Sequence, residues 1–259
     1  MKALIPAAGL GTRYLPLTKA VPKELIPVGR FPVLHHVVAE AKAAGCDEIG
    51  IILSDGKEAI RDYFSPDPEL MAMLDRTGKR EMMADWEVLM NGLQFNWIDQ
   101  KEQRGLGDAI LCGEAFAAGE PVCVLLGDTI IEGESPLREM VSRVRSGAGS
   151  AVAVEQVPRE RATRYGVCWT SGIENGVGKI EAMVEKPSEA AIAARDGEPF
   201  VFAARYVLGN RIFELLRGQG AGKNGEIQLT DAMDRLRQME GFSAVRLQGV
   251  RRDVGAPDV

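Results

Sequence analysis

The stretch KALIPAAGLGTRYLPLTKAVPKELIPV, residues 2–28, decides the fold. It opens on an apolar run of strand length. The AAGLGTR that follows cannot continue as a helix, because Gly9 and Gly11 weaken one and Pro16 and Pro22 interrupt it. A loop therefore hangs from the end of a buried first strand, and it carries Arg13, Lys19 and Lys23. Two glycines whose backbone can approach a phosphate chain, with cations beside them, suit a polyanion. The alternative reading of these residues alone is a glycine turn with solvated cations. Neither common phosphate fingerprint is present. Tyr14 stands where a dinucleotide loop has its third glycine, and no GK[ST] follows at the Walker spacing. A second glycine-rich run, GQGAGKN at 218–224, is one residue short of a Walker loop. Asn224 there replaces the Ser/Thr that would hold magnesium, so the run reads as a surface turn.

Outward from that loop, strand and helix patterns alternate. PVLHHVVAEAKAAG (32–45) puts Val33, Leu34, Val37, Val38 and Ala41 on one helical face, and Gly45 stops it. EIGIILS (48–54) is a buried strand and KEAIRDYF (57–64) a short helix. Helical character resumes over 69–83, with Gly78 in its middle. LQFNWID (93–99) is a strand, 105–119 a helix after a glycine turn, and PVCVLLGD (121–128) a buried strand. This βαβα order predicts an α/β fold, Rossmann-like, with a mixed, mostly parallel central sheet flanked by helices. Ligands bind such sheets outside the carboxyl ends of the strands, which puts the loop after Pro6, the turn near Gln100 and Asp128 along one edge. The second half is richer in strands: 149–157, 165–170, 177–187, 199–208 and 243–250, with helices at 211–217 and 228–240. It reads as an extension of the same sheet with a substrate-covering, strand-rich region. The expected organisation is one domain over 1–259 in two halves, 1–135 and 136–259.

Composition narrows the function. A formal net charge of −6 argues against a general nucleic-acid or membrane-surface binder, so a polyanion must meet a local basic site. Cys46, Cys112, Cys123 and Cys168 form no CxxC pair, which favours reduced thiols and a cytoplasmic setting. The amino-terminal apolar run is broken by Pro6 and Gly9 and is a strand rather than a signal peptide. No apolar run approaches the roughly 20 residues of a spanning helix. His35 and His36 are adjacent in a helix, face different directions and cannot share one metal. The serines lack a GxSxG setting.

The loop, together with QRGLGDA, LLGD, YGV, VEKP, RYVL, EIQLTDA and DVG in that order, resembles the bacterial sugar-phosphate nucleotidyltransferases over nearly the whole chain. The insert FSPDPELMAMLDRTGKREM favours the branch that joins UTP to glucose 1-phosphate over dTTP-using relatives, whose corresponding region is usually shorter. The resemblance implies attack of a sugar 1-phosphate oxygen on the α-phosphorus of UTP, giving UDP-glucose and pyrophosphate, with Mg2+ as cofactor. The same chemistry with dTTP, CTP or another sugar 1-phosphate, or a paralogue that binds without turnover, stands beside it.

That resemblance also assigns residues. Arg13 and Lys23 bind the triphosphate and the leaving pyrophosphate. Ala8 and Gly9 lie against the base, with Gly11, Glu24 and the turn at Gly105 as further nucleotide contacts. The glutamine that reads the uracil edge is Gln100, with Gln103 as rival; Gln100 is preferred because it ends the strand FNWID. Asp128 and Asp253 hold the metal. Lys186 grips the sugar phosphate as a catalytic cation, Glu185 accepts sugar hydroxyls and Gly166 offers its backbone to the sugar. Family members usually continue past DVG into a helical segment that contributes to subunit contacts, and a homo-oligomer, dimer or tetramer, is implied. Thr129, beside Asp128, leaves open whether the sugar contact there is altered.

Overall fold

The structure, a computed structural model, describes residues 1–222 and 225–255. Among the described residues thirteen strands follow in chain order. They are β1 (Lys2–Pro6), β2 (Pro27–Val28), β3 (Phe31–Pro32), β4 (Glu48–Leu53), β5 (Gln94–Asp99), β6 (Val122–Leu125) and β7 (Thr129–Glu132). The second half adds β8 (Ser150–Glu155), β9 (Gly166–Thr170), β10 (Val177–Glu185), β11 (Phe200–Leu208), β12 (Phe242–Arg246) and β13 (Val250–Asp253). Nine of them form one sheet in the order β5-β4-β1-β6-β11-β8-β12-β10-β9. β5, β4, β1 and β6 run parallel, as the alternating pattern requires. Beyond β6 the parallel character holds only between β12 and β8, and β11 and β10 run against their neighbours. The sheet as a whole is therefore mixed and mostly parallel in direction, as expected: β11 and β10 run against the other seven strands, which point one way. In the second half β9 and β10 are joined by a short turn, whereas the other antiparallel pairs, such as β6 with β11, bring together strands distant in the sequence.

The alternation of side chains along β1 explains why the sheet is covered on both faces. Ala3 and Ile5 point into one apolar cluster with Val33, Leu34, Val37, Val38 and Ala41 of the helix Val33–Ala43, all fully buried. Leu4 points the other way, into a cluster with Ile110, Leu216 and Leu236. The helical face expected over 32–45 is the face that is buried.

Other elements differ from the sequence reading for identifiable reasons. The helix expected over 69–83 ends at Arg76, where Gly78 takes a φ of 65°; a one-turn 3-10 segment and a helix at Ala84–Met90 follow it. The helix expected over 105–119 divides into Leu106–Cys112 and Glu114–Ala117. It passes so close to β1 at Gly113 that an added Cβ would sit 2.2 Å from Leu4 Cδ2. The strand expected over 243–250 is two strands, β12 and β13. A helix at Leu137–Arg145 lies outside the sequence reading; Leu137, Met140 and Val141 bury its inner face among residues that are mostly charged or hydroxylic. Among the described residues no helix is long and apolar enough to cross a membrane. All four cysteines are free thiols. His35 stacks on Phe31 and bonds the Tyr63 hydroxyl at 2.9 Å, and burial pushes its pKa down to about 4. His36 bonds the Val28 carbonyl instead. Lys223 and Asn224 of the second glycine-rich run lie outside the described residues.

Candidate active site

The loop after β1 is three short 3-10 turns, Thr12–Tyr14, Leu17–Lys19 and Lys23–Leu25, with Gly11 at φ 65° before the first. Its entry is held from below. The Lys57 ammonium donates to the Ala7 carbonyl and to both carboxylate oxygens of Glu24, at 2.9 and 2.8 Å. The Ser54 hydroxyl donates to the Ala8 carbonyl at 2.9 Å. With these carbonyls bound underneath, the opposite edge of the Ala8–Gly9 backbone borders a cavity of about 350 Å³, lined also by Gly11, Lys23, Glu24, Gln100 and Gly105.

Glu24 and Gln100 differ in which polar atoms they leave free in this wall. Glu24 lines that cavity, but both its oxygens are committed to Lys57 and it is 1% exposed, so it braces the loop rather than offering a free carboxylate. Burial pushes its pKa up, and burial pushes that of Lys57 down. Gln100, directly after β5, is buried, whereas Gln103 is exposed, although both border the cavity. The Gln100 amide Nε2 donates to Asp108 Oδ2 at 2.8 Å, and Arg104 holds the other oxygen of Asp108. This commits one N–H of Gln100 and leaves its carbonyl oxygen as an acceptor.

An adjoining cavity of about 730 Å³ is lined by Arg13, Asp128, Gly166, Glu185, Lys186 and Asp253, with Leu106 and Glu226 shared between the two. The cavities meet where Lys23 donates to Asp128 Oδ2. Burial alone would push this lysine's pKa down, and Asp128 overrides it and raises it. Burial would push the Asp128 carboxyl up, and Lys23 overrides that and lowers it. Both groups are thus charged at neutral pH.

Asp128 lies three residues beyond β6, and Asp253 ends β13, paired in register with Thr129 of β7. The pairing of β7 with β13 brings the carboxylates together around Gly255. A Cβ added there would sit 2.8 Å from Asp128 Oδ2, 3.0 Å from Asp253 Oδ1 and 3.2 Å from Arg13 Nη2. Only a residue without a side chain leaves that space open. Two carboxylates facing one gap match a magnesium site, which takes one or two protein carboxylates and completes its shell with phosphate and water oxygens. Among the described residues no group of three or more His, Cys, Asp or Glu side chains could hold a metal alone.

At the far wall, Glu185 ends β10 and accepts a 2.6 Å hydrogen bond from the Thr230 hydroxyl. Lys186 follows with a φ of 42°, its N–H on the Tyr165 carbonyl at 3.1 Å and its ammonium 3.7 Å from Glu185 Oε1. A left-handed lysine is strained, and such strain collects where a side chain must be aimed. Gly166 packs so tightly that an added Cβ would meet Phe202 at 2.7 Å and Glu185 Oε2 at 2.9 Å.

Sequence reasoning missed Lys57, Thr230, Asp108 and Arg205. The last is fully buried on β11, where Ala204 takes a φ of 61° and the strand register shifts. Its guanidinium grips Glu40 at 2.9 and 2.7 Å and the Thr129 carbonyl at 2.8 Å, anchoring the peptide next to Asp128. The motifs RYVL and EIQLTDA carried Arg205 and Thr230, but their partners lie far away in sequence.

A phosphate-loop turn, paired carboxylates and a second basic wall at the carboxyl edge of one sheet define a nucleotidyl-transferring site. The chain belongs to the nucleotidyl transferase family, whose model matches residues 2–259. It is 39% identical over 255 residues to the UTP–glucose-1-phosphate uridylyltransferase of Bacillus subtilis (strain 168), covering 98% of this chain and 86% of that protein. It is 38% identical to the enzyme of the same name from Staphylococcus epidermidis (strain ATCC 12228), covering 98% and 87%. Among solved structures it superimposes with a TM-score of 0.87 on a UDP-glucose pyrophosphorylase complexed with UDP-glucose, at 35% identity over 98% of this chain and 93% of the other. A UTP-bound enzyme of the same kind from Acinetobacter baumannii gives a TM-score of 0.88 at 32% identity, over 99% and 89%.

Proposed function

We propose that this chain joins UTP and glucose 1-phosphate to give UDP-glucose and pyrophosphate. The observation that carries the reading is that every candidate residue named from the motifs lines one of two adjoining cavities that meet at the Lys23–Asp128 pair. The uridylyl-transferring relatives support the choice of substrates.

The division of labour follows from charge. A phosphate oxygen of the sugar attacks the α-phosphorus; the new P–O bond forms as the bond to the bridging oxygen breaks, and pyrophosphate leaves with the electron pair. The nucleophile is already anionic at neutral pH, so no strong base is required, and the main obstacle is repulsion between two polyanions. Arg13 and Lys23 neutralise the triphosphate side, and Lys186 the sugar phosphate. Glu185, with one oxygen held by Thr230, keeps the other for sugar hydroxyls. Magnesium between Asp128 and Asp253 would supply further charge neutralisation on the phosphoryl oxygens. Residues 1–135 are the nucleotide half and 136–259 the sugar-phosphate half of one domain. A cytoplasmic homo-oligomer, dimer or tetramer, belongs to the same reading.

The deciding assay is magnesium-dependent pyrophosphate release with glucose 1-phosphate, comparing UTP, dTTP, CTP, ATP and GTP beside a no-sugar control. Strong release with UTP alone is expected. Release only with another triphosphate keeps the chemistry and moves the base assignment, and none with any of them favours a binding paralogue.

Base reading carries its own prediction. With its Nε2 on Asp108, Gln100 presents Oε1 to the N3–H of uracil. Gln100→Ala is expected to raise the KM for UTP about tenfold, as loss of one hydrogen bond in a closed site does, with kcat nearly unchanged. An unaltered KM would transfer the role to Gln103.

A further inference from the structure

The opening loop and the last strand are tied through one residue, Val254. The Val254 N–H donates to the Asp128 carbonyl at 2.9 Å, and the Val254 carbonyl accepts from the Tyr14 hydroxyl at 2.8 Å. Tyr14 follows Arg13 in the turn Thr12–Tyr14, and Val254 follows Asp253 at the end of β13. The phenol therefore joins the turn that carries the arginine to the strand that carries the second carboxylate. No residue of that turn is buried, so the turn has no apolar anchor in the core. Its own bonds, Tyr14 N–H to the Gly11 carbonyl at 2.9 Å and Leu15 N–H to the Thr12 carbonyl at 3.3 Å, shape it without fixing where it sits. Thr18 fastens only its start, through the Gly11 carbonyl at 2.8 Å. Burial and the Asp253 charge raise the phenol pKa against the opposing effect of Arg13 and Lys23, so the hydroxyl keeps its proton as a donor at neutral pH.

We propose that Tyr14 is a positioning residue: its hydroxyl latches the turn onto β13, sets the spacing between Arg13 and Asp253, and so aligns a bound nucleoside triphosphate against the carboxylate pair. This rests on the nucleotidyl-transfer reading of the site. A residue at this position in a dinucleotide loop would be a glycine packed against the sheet; here a side chain long enough to cross to the carboxyl-terminal strand takes its place.

Tyr14→Phe tests the latch, because phenylalanine keeps the ring and its packing and removes only the hydroxyl. In the full chain, hydrogen exchange over residues 250–255 should quicken. The kcat/KM for UTP should fall about 3- to 10-fold, the loss of one hydrogen bond, while the KM for glucose 1-phosphate and the melting temperature stay at wild-type values. Unchanged exchange, an unchanged kcat/KM for UTP, or an equal rise in both KM values, as general loosening would give, each overturns the proposal. Failure of the nucleotidyl-transfer reading shows separately, as no turnover by the unsubstituted chain, and the exchange comparison then decides the latch by itself.

Discussion

Asp128→Asn should lower turnover by about three orders of magnitude, the several kcal/mol a positioned cation contributes to phosphoryl chemistry. Asparagine has the shape of aspartate but not its charge. The substitution therefore leaves the cavity intact while weakening the pairing with Asp253 that suits a divalent ion, and it removes the counter-charge of Lys23. Binding of Mn2+ followed by titration calorimetry should weaken in parallel, a readout independent of catalysis. Lys23 is partly buried and would then lack its carboxylate, so some stability is lost as well. The melting temperature must be recorded, and the rates compared below it. Turnover within tenfold of wild type at saturating magnesium would remove Asp128 from the centre of the reaction.

The contrast between what the sequence disclosed and what it concealed follows from the range of the interactions. Apolar runs such as those at β1, β4 and β6 declare themselves because burial on both faces leaves no polar alternation to misread. The helix Leu137–Arg145 was concealed because its three buried side chains are diluted by charged neighbours, although their i, i+3, i+4 spacing was available as a signal. Residues proposed to touch substrate were legible in ordered motifs: Arg13 and Lys23 in the loop, Glu185 and Lys186 in VEKP. Residues that hold those residues were not. Lys57 reaches Glu24, and Arg205 reaches Glu40 and Thr129, across sequence gaps that no local pattern encodes. The bond from Gln100 to Asp108 is likewise a contact visible only after folding.

Lys186→Ala is the second large effect, a fall in turnover of roughly 100-fold or more, as when a major charge-stabilising donor is lost. The ammonium stands in the wall of the larger cavity opposite Arg13 and Asp128, and its nearest charge is Glu185, 3.7 Å away. That distance leaves it free to turn to a phosphate. The backbone complicates the reading of the variant. Lys186 has a φ of 42°, a conformation in which alanine is as strained as lysine and glycine is not. Lys186→Gly therefore separates the two contributions. If the ammonium is what matters, both variants lose turnover alike and the KM for glucose 1-phosphate rises in both, while only the glycine variant unfolds at a different temperature. Lys186→Arg restores charge but replaces a compact ammonium with a broad planar fork, and should recover binding more than rate. Near wild-type turnover of Lys186→Ala in saturating substrate would show that the cavity's arginines suffice to offset the sugar phosphate, and that the strained turn at Lys186 serves the sheet rather than the reaction.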